Sequence, residues 1–135
     1  MERLKERVVV ARKALNTFLE FVGAGTYLAN PSAERRDASI QRFEYSFEAV
    51  WKTAQLYLSE KEAMEIGSPK GCIRASREIG ILNETEAEVA LKMAEARNLT
   101  AHTYDESVAK NLYANLSNYG ASLNLWLGQM EKKLD

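Results

Sequence analysis

Residues Ile40–Leu58 read IQRFEYSFEAVWKTAQLYL, and their apolar side chains return every three or four positions. The apolar positions are Ile40, Phe43, Phe47, Val50, Trp51, Ala54, Tyr57 and Leu58. This spacing places them on one broad face of an α-helix. We therefore predict a helix over about residues 32–59, which at 1.5 Å per residue is roughly 30 to 40 Å long. A helix of that length needs partners of similar length to bury its apolar face.

Two other long patterns supply those partners. The first runs from Glu2 to Val22, and its apolar residues are Leu4, Val8, Ala11, Leu15, Phe18, Leu19 and Val22. The second begins after an N-cap at Asp105 or Ser107, and its apolar residues are Val108, Leu112, Leu116, Tyr119, Leu123, Trp126, Leu127 and Met130. Inside this last helix, two glycines lower helix propensity but should permit close packing. These are Gly120 and Gly128.

Two shorter helices are predicted between the long ones. Ser68 as N-cap and Pro69 at the first position start a helix that Gly80 closes. Asn83 caps the next helix, which has acidic residues in its first turn and continues to about residue 100. Its apolar residues are Val89, Leu91, Met93, Ala96 and Leu99.

The remaining stretch between the first two helices is predicted to be a loop. Its turn-forming residues are Gly23, Gly25, Asn30 and Pro31. We expect Tyr27 and Leu28 in this loop to pack back onto the bundle. No segment alternates in the manner of a strand. The prediction is an all-α bundle of four main helices and one additional short helix, as a single domain over residues 1–135.

Composition limits the function. A chain of 135 residues has room for one core. Its net charge of −1 argues against bulk attraction to long nucleic acid, so no DNA partner is expected and any RNA contact should be local. One cysteine and one histidine cannot build a usual zinc site, so we expect no metal and no cofactor. No apolar run or leader indicates a membrane, and the expected location is the cytoplasm.

The candidate site is the stretch Glu95–Asp105, EARNLTAHTYD. Arg97 carries a permanently charged guanidinium suited to phosphate, and His102, the only histidine, can accept and release a proton near neutral pH. Tyr104 adds a phenol. On a continuing helix His102 would stack on Asn98, whereas Arg97 would lie about 140° away around the axis. A loop beginning near residue 101, or a second copy of the motif, would bring arginine and histidine together more easily.

Metal-independent RNA cleavage is one chemistry that these groups could perform. His102 would remove the ribose 2′-hydroxyl proton or protonate the leaving oxygen, and Arg97 would stabilise charge on the phosphorane. Because one histidine does not serve both steps comfortably, we expect a two-fold homodimer with paired motifs.

Spacing alone nevertheless favours a structural role. A histidine near a helix C-terminus often stabilises the helix dipole, and Arg97 often pairs with a neighbour such as Glu95. The polar face of the second helix has balanced charges, which is typical of a solvated face with pairs at four-residue spacing. Its residues are Arg35, Arg36, Asp37, Gln41, Arg42, Glu44, Glu48 and Lys52.

Three separated segments resemble one known family in the same order. An arginine, four residues, a histidine, one residue and a tyrosine, within Arg97–Glu106, resemble the signature of the HEPN (higher eukaryotes and prokaryotes nucleotide-binding) toxins encoded beside a minimal nucleotidyltransferase. Arg36–Lys52 resembles their second helix. The third match is Ser68-Pro69-Lys70, leading into Ile73-Arg74 and the Gly80-Ile81 break. The resemblance spans about residues 3–127.

The resemblance implies an up-and-down four-helix bundle that dimerises and acts as an endoribonuclease toxin. Arg97 would bind phosphate in catalysis, His102 would be the acid or base, and Asn98 would orient the site. Tyr104 would accept AMP from the partner nucleotidyltransferase, the antitoxin, and its modification would silence the RNase. AMP on Tyr104 would place a negative phosphate beside Arg97, where an RNA phosphate must bind.

Two other functions remain open. The chain could be a non-catalytic substrate-binding subunit of a two-protein nucleotidyltransferase, using the mixed-charge face of the second helix. Alternatively, it could be a structural helical dimer whose motif only caps a helix.

Overall fold

The computed structural model describes residues 2–22 and 32–134, and these ranges form an all-helical bundle. Its helices are α1 (Glu2–Val22), α2 (Ala33–Glu62), α3 (Pro69–Glu78), α4 (Glu84–Asn98) and α5 (Glu106–Lys132), with a 3₁₀ helix (Leu99–His102) between the last two. The predicted loop with Tyr27 and Leu28 lies outside the described residues. The predicted fold class is confirmed.

The three long helices share one core. α1 packs against α2 and α5, and α2 packs against α5. Phe18, Phe43 and Phe47 are fully buried where these helices meet, and neighbouring rings lie about 6 Å apart. All the apolar positions of the Ile40–Leu58 pattern are buried, as predicted. The periodicity thus identified the core face of α2 correctly.

The two interior glycines of α5 differ in their surroundings. A Cβ atom at Gly120 would lie 3.2 Å from Leu19 Cδ2 and 3.4 Å from Phe18 Cε2. Gly120 therefore permits close approach of α1, as predicted. A Cβ atom at Gly128 would meet nothing within 4 Å, so the prediction of close packing was wrong there.

The shorter helices α3 and α4 close the bundle, and their predicted caps are confirmed. The Ser68 side chain accepts a hydrogen bond from the Gly71 N–H at 3.1 Å. Asn83 and Glu86 form a reciprocal capping box, which satisfies two backbone N–H groups at the start of α4. Between α3 and α5, the buried Trp126 indole donates to Ser76 Oγ at 3.0 Å.

The buried face of α4 differs from the predicted apolar pattern. Val89 and Leu99 belong to that pattern but are 42% and 45% exposed. The buried residues include Met93 and Ala96 from that pattern, together with Ala87, Ala90 and Ala94. α4 therefore turns inward a face of four alanines and Met93, and leaves Val89 and Leu99 outside. Within the described ranges, no helix is long and apolar enough to cross a membrane.

Candidate functional site

The motif lies where α4 ends and α5 begins. After Asn98 the chain tightens into the 3₁₀ helix that ends at His102. The Thr100 hydroxyl donates to the Arg97 carbonyl at 2.7 Å, and the Asp105 N–H donates to the His102 carbonyl at 3.0 Å. Asp105 then caps α5. Arg97 and Asn98 therefore lie at the end of α4, His102 at the end of the 3₁₀ helix and Tyr104 in the turn before α5. Their side chains point to different parts of the surface.

Arg97 turns towards α2. Its Nη2 donates to Glu48 Oε2 at 3.1 Å, and its guanidinium lies 5.8 Å from the centre of the Phe47 ring. The same Glu48 oxygen also accepts a hydrogen bond from Trp51 Nε1 at 3.0 Å. The Glu48 carboxylate thus holds the guanidinium half-exposed at a fixed position. This partner replaces the Glu95 pair considered from the sequence, since Glu95 lies 3.5 Å from Lys70 instead.

Arg97 and Asn98 line an open cleft between α2, α3 and α4, which we call the α3 cleft. Its volume is about 410 Å³. Its lining residues are Phe47, Ser68, Pro69, Lys70, Arg74, Ala94, Arg97 and Asn98. Three of these side chains are cationic, and among the described residues no carboxylate belongs to the lining. The α3 cleft is therefore suited to an anionic group.

Its cations differ in how they are neutralised. Arg97 is paired with Glu48, and Lys70 is paired with Glu95, whose side chain is 67% exposed. Arg74 is exposed and has no carboxylate partner in the part of the chain that the structure describes. A bound phosphate could thus pair with Arg74 without breaking an existing ion pair.

His102 and Tyr104 form a separate, exposed pair. His102 Nδ1 lies 3.3 Å from the Tyr104 hydroxyl, and their ring centres are 5.9 Å apart. Tyr104 is 85% exposed, which leaves its hydroxyl accessible to an enzyme. Neither residue lines the α3 cleft.

The structure therefore brings the predicted site residues together in two pairs. Arg97 lies with Asn98 in the α3 cleft, and His102 lies with Tyr104 at the surface. Among the described residues, no hydrogen bond or ion pair joins Arg97 to His102.

Sequence reasoning missed several residues of the α3 cleft. Lys70 and Arg74 are four apart, so they project from the same side of α3, and this spacing was visible in the sequence. Glu48 was assigned only to a solvated face, and that assignment is correct for its pair with Lys52 at 3.5 Å. Its contact with Arg97, 49 positions away, had no sequence signal.

Within the described ranges, no cluster of histidine, cysteine, aspartate and glutamate could hold a metal ion. Cys72 lies fully buried on α3, and burial raises the pKa of its thiol to about 11. A thiol with so high a pKa stays protonated near neutral pH and is a poor nucleophile there.

Comparison with known proteins gives the family. The family described as nucleotidyltransferase substrate binding protein like matches residues 6–132. The chain belongs to this family. The match begins within the first turns of α1, runs to the end of α5 and includes Arg97, Asn98, His102 and Tyr104. The name of the nucleotidyltransferase substrate binding protein like family implies a nucleotidyltransferase partner.

One solved structure is also similar along most of its length. It is the crystal structure of ttk003001694 from Thermus thermophilus, which is 47% identical in sequence and superposes with a TM-score of 0.81. The similarity covers 89% of this chain and 98% of that one. A search of curated proteins gave no match. The solved relative therefore supports the fold of this nucleotidyltransferase substrate binding protein like chain.

Proposed function

We propose that this chain is the non-catalytic, substrate-binding subunit of a two-protein nucleotidyltransferase. The observation that carries the proposal is the α3 cleft, where Lys70, Arg74 and Arg97 surround a volume of about 410 Å³. The family match supports the same function, because nucleotidyl transfer requires a bound acceptor. In this proposal the α3 cleft holds the acceptor and the partner enzyme supplies the reaction.

The chemistry of the cleft favours a phosphate-bearing acceptor. Arg74 and Arg97 offer guanidinium groups, which match phosphate oxygens in geometry, and Lys70 adds a mobile point charge. Pro69 supplies an apolar surface beside these charges, and the buried Phe47 and Ala94 lie behind it. A ligand with a phosphate and a less polar body satisfies both parts of the cleft.

Reconstitution with the minimal nucleotidyltransferase tests this proposal. Arg74→Gln should raise the KM for the acceptor by at least about tenfold, since a charged hydrogen bond contributes about 1.5–3 kcal/mol. Arg77→Gln is the matched control, because Arg77 is also exposed on α3 but does not line the cleft. Failure of the two proteins to form a complex, or an equal KM for both variants, would contradict the proposal.

A second candidate function is the endoribonuclease toxin, and the exposed His102–Tyr104 pair favours it. Both functional groups are open to solvent and lie 3.3 Å apart. The Tyr104 hydroxyl oxygen would attack the α-phosphorus of ATP as the bond to the β-phosphate breaks. Pyrophosphate would leave, and the phenol proton would pass to His102 or to solvent. The added AMP would then block the binding of RNA.

RNA cleavage itself needs Arg97 and His102 at one phosphate. In one protomer they face different directions, so this function requires a homodimer in which the motifs of two copies meet. It also requires the RNA phosphate to compete with Glu48 for the Arg97 guanidinium. RNA is then the substrate, and the nucleotidyltransferase is the antitoxin.

Two measurements separate the candidates. Under the toxin function, the wild-type protein cleaves RNA in EDTA, and His102→Ala and Arg97→Ala do not. The intact mass of wild-type protein increases by AMP units after incubation with the partner and Mg-ATP, whereas the mass of Tyr104→Phe does not. Absence of RNA cleavage by the wild-type dimer and by the wild-type monomer rejects the toxin function and leaves the binding-subunit proposal standing.

A further inference from the structure

A second cationic cleft lies between the start of α2 and the first half of α5. Its volume is about 420 Å³, and its polar lining includes Ser32, Arg36, Glu106 and Lys110. The ring of Tyr113, which is 5% exposed, lies against it. We call it the α2–α5 cleft. It shares no lining residue with the α3 cleft.

Arg36 is the unusual residue of this cleft. Its side chain is only 19% exposed, and its Nε atom is buried with no hydrogen-bond partner among the residues that the structure describes. Its Nη1 lies 3.7 Å from Glu106 Oε1, which is an ion pair but longer than a hydrogen bond. A guanidinium that is mostly buried and makes only this long ion pair within the described ranges is poorly compensated, so an anion at its Nη atoms would stabilise it.

Glu106 balances this charge only in part. Its side chain is 69% exposed, and the same Oε1 atom also lies 3.8 Å from Lys110 Nζ. One solvated carboxylate is therefore shared by two cations, which leaves a net positive charge at the cleft. Both contacts are long, so an incoming anion can replace Glu106 at little cost.

We propose that the α2–α5 cleft binds a phosphate group through Arg36 and Lys110. The Nη1 and Nη2 atoms of Arg36 would donate to two phosphate oxygens, since its Nε atom is buried, and Lys110 would turn from Glu106 to the third oxygen. The ligand is inorganic phosphate or the terminal phosphate of a small phosphomonoester. The buried Tyr113 ring and the neighbouring alanines give a phosphomonoester an apolar wall. This site does not depend on the proposed function of the α3 cleft.

Amide NMR titration of the full chain tests the site with inorganic phosphate, uridine 5′-monophosphate and uridine. We expect phosphate and the nucleotide to shift the amides of Ala33 and Ala114, and uridine to shift neither. Tighter binding of the nucleotide than of phosphate identifies a phosphomonoester as the ligand, and equal binding identifies the free ion. Arg36→Met keeps the apolar stem and should weaken binding at least about tenfold.

Matched variants show whether the phosphate binds in the α2–α5 cleft or in the α3 cleft. Arg74→Gln should leave the phosphate affinity reported by the Ala33 and Ala114 amides unchanged, whereas Lys110→Gln should weaken it several-fold. Lys110 is 70% exposed, so its substitution keeps the test valid if Arg36→Met does not fold. Three results would each overturn the proposal. They are uridine binding as tight as that of its monophosphate, full phosphate affinity in Lys110→Gln, and amide shifts confined to Gly71 and Ala94.

Discussion

The Glu48 carboxylate accepts a hydrogen bond of 3.1 Å from Arg97, and this contact joins α2 to the motif at the end of α4. The side chains of Glu48 and Arg97 are 40% and 38% exposed. A pair exposed to this extent contributes about 0.2–1 kcal/mol, because water screens it. The contact is therefore strong enough to orient Arg97 and weak enough for a ligand phosphate to displace it.

Glu48→Gln should strengthen anion binding in the α3 cleft. The glutamine oxygen can still accept from Trp51, but the charge that competes for Arg97 is gone. We expect pyrophosphate to bind up to about fivefold more tightly, as measured by calorimetry. Glu131→Gln is the control, because it removes the carboxylate that pairs with Arg12 at 2.6 Å, away from the cleft. Unchanged or weaker pyrophosphate binding in Glu48→Gln would mean that Glu48 does not restrain Arg97.

Gly71→Ala should destabilise the start of α3. A Cβ atom there would lie 2.7 Å from Ile66 Cγ2 and 2.8 Å from Ser68 Oγ, the atom that caps α3. We expect the free energy of unfolding in urea to fall by about 1–3 kcal/mol, because overpacking displaces the cap. A Cβ atom at Gly128 meets no described atom within 4 Å, so Gly128→Ala should raise the free energy of unfolding by about 0.5–1 kcal/mol. Equal effects of the two substitutions would show that the clash is relieved at no cost.

Asp105 should make the start of α5 sensitive to acid. Hydrogen bonds from the Ser107 hydroxyl and N–H hold the pKa of its carboxyl below the usual 3.8. The ionised cap therefore stabilises the fold above the usual pKa, and this contribution is lost as the pH falls through the lowered value. Asp105→Asn keeps a capping oxygen but cannot titrate. NMR of the Ser107 amide should show an acid transition in the wild type that is absent from the variant; the same transition in both would assign it to another carboxyl.

The Cys72 thiol should report the opening of α3. Burial raises its pKa to about 11, so at pH 8 the thiol is protonated and inaccessible in the folded protein. We expect a thiol-specific reagent to modify it slowly in buffer and completely in urea, as followed by absorbance. It is the only cysteine, so the signal is unambiguous. Rapid modification without urea would indicate that α3 separates from the bundle under native conditions.

Local signals predicted much of the fold. The caps at Ser68, Asn83 and Asp105 were predictable because a cap bonds to backbone within three residues of itself. The inward face of α4 was not predictable in the same way. Val89 is larger and more apolar than Ala87, but Val89 is exposed and Ala87 is buried, because the packing of α4 against α3 and α5 decides which side of the helix faces inward.

The sequence by itself determined the helical class, the capped helix starts and the residue types of the motif, since periodicity and capping depend on neighbours within one or two turns. It did not determine every helix end, because α2 continues to Glu62, beyond the predicted end near residue 59. Only the tertiary structure decided what each motif residue contacts. It placed Arg97 against Glu48 and left His102 beside Tyr104 at the surface. The physical reason is that the direction of Arg97 depends on how α4 lies across α2. That crossing is set by the packing of side chains distant in sequence, which no local pattern encodes.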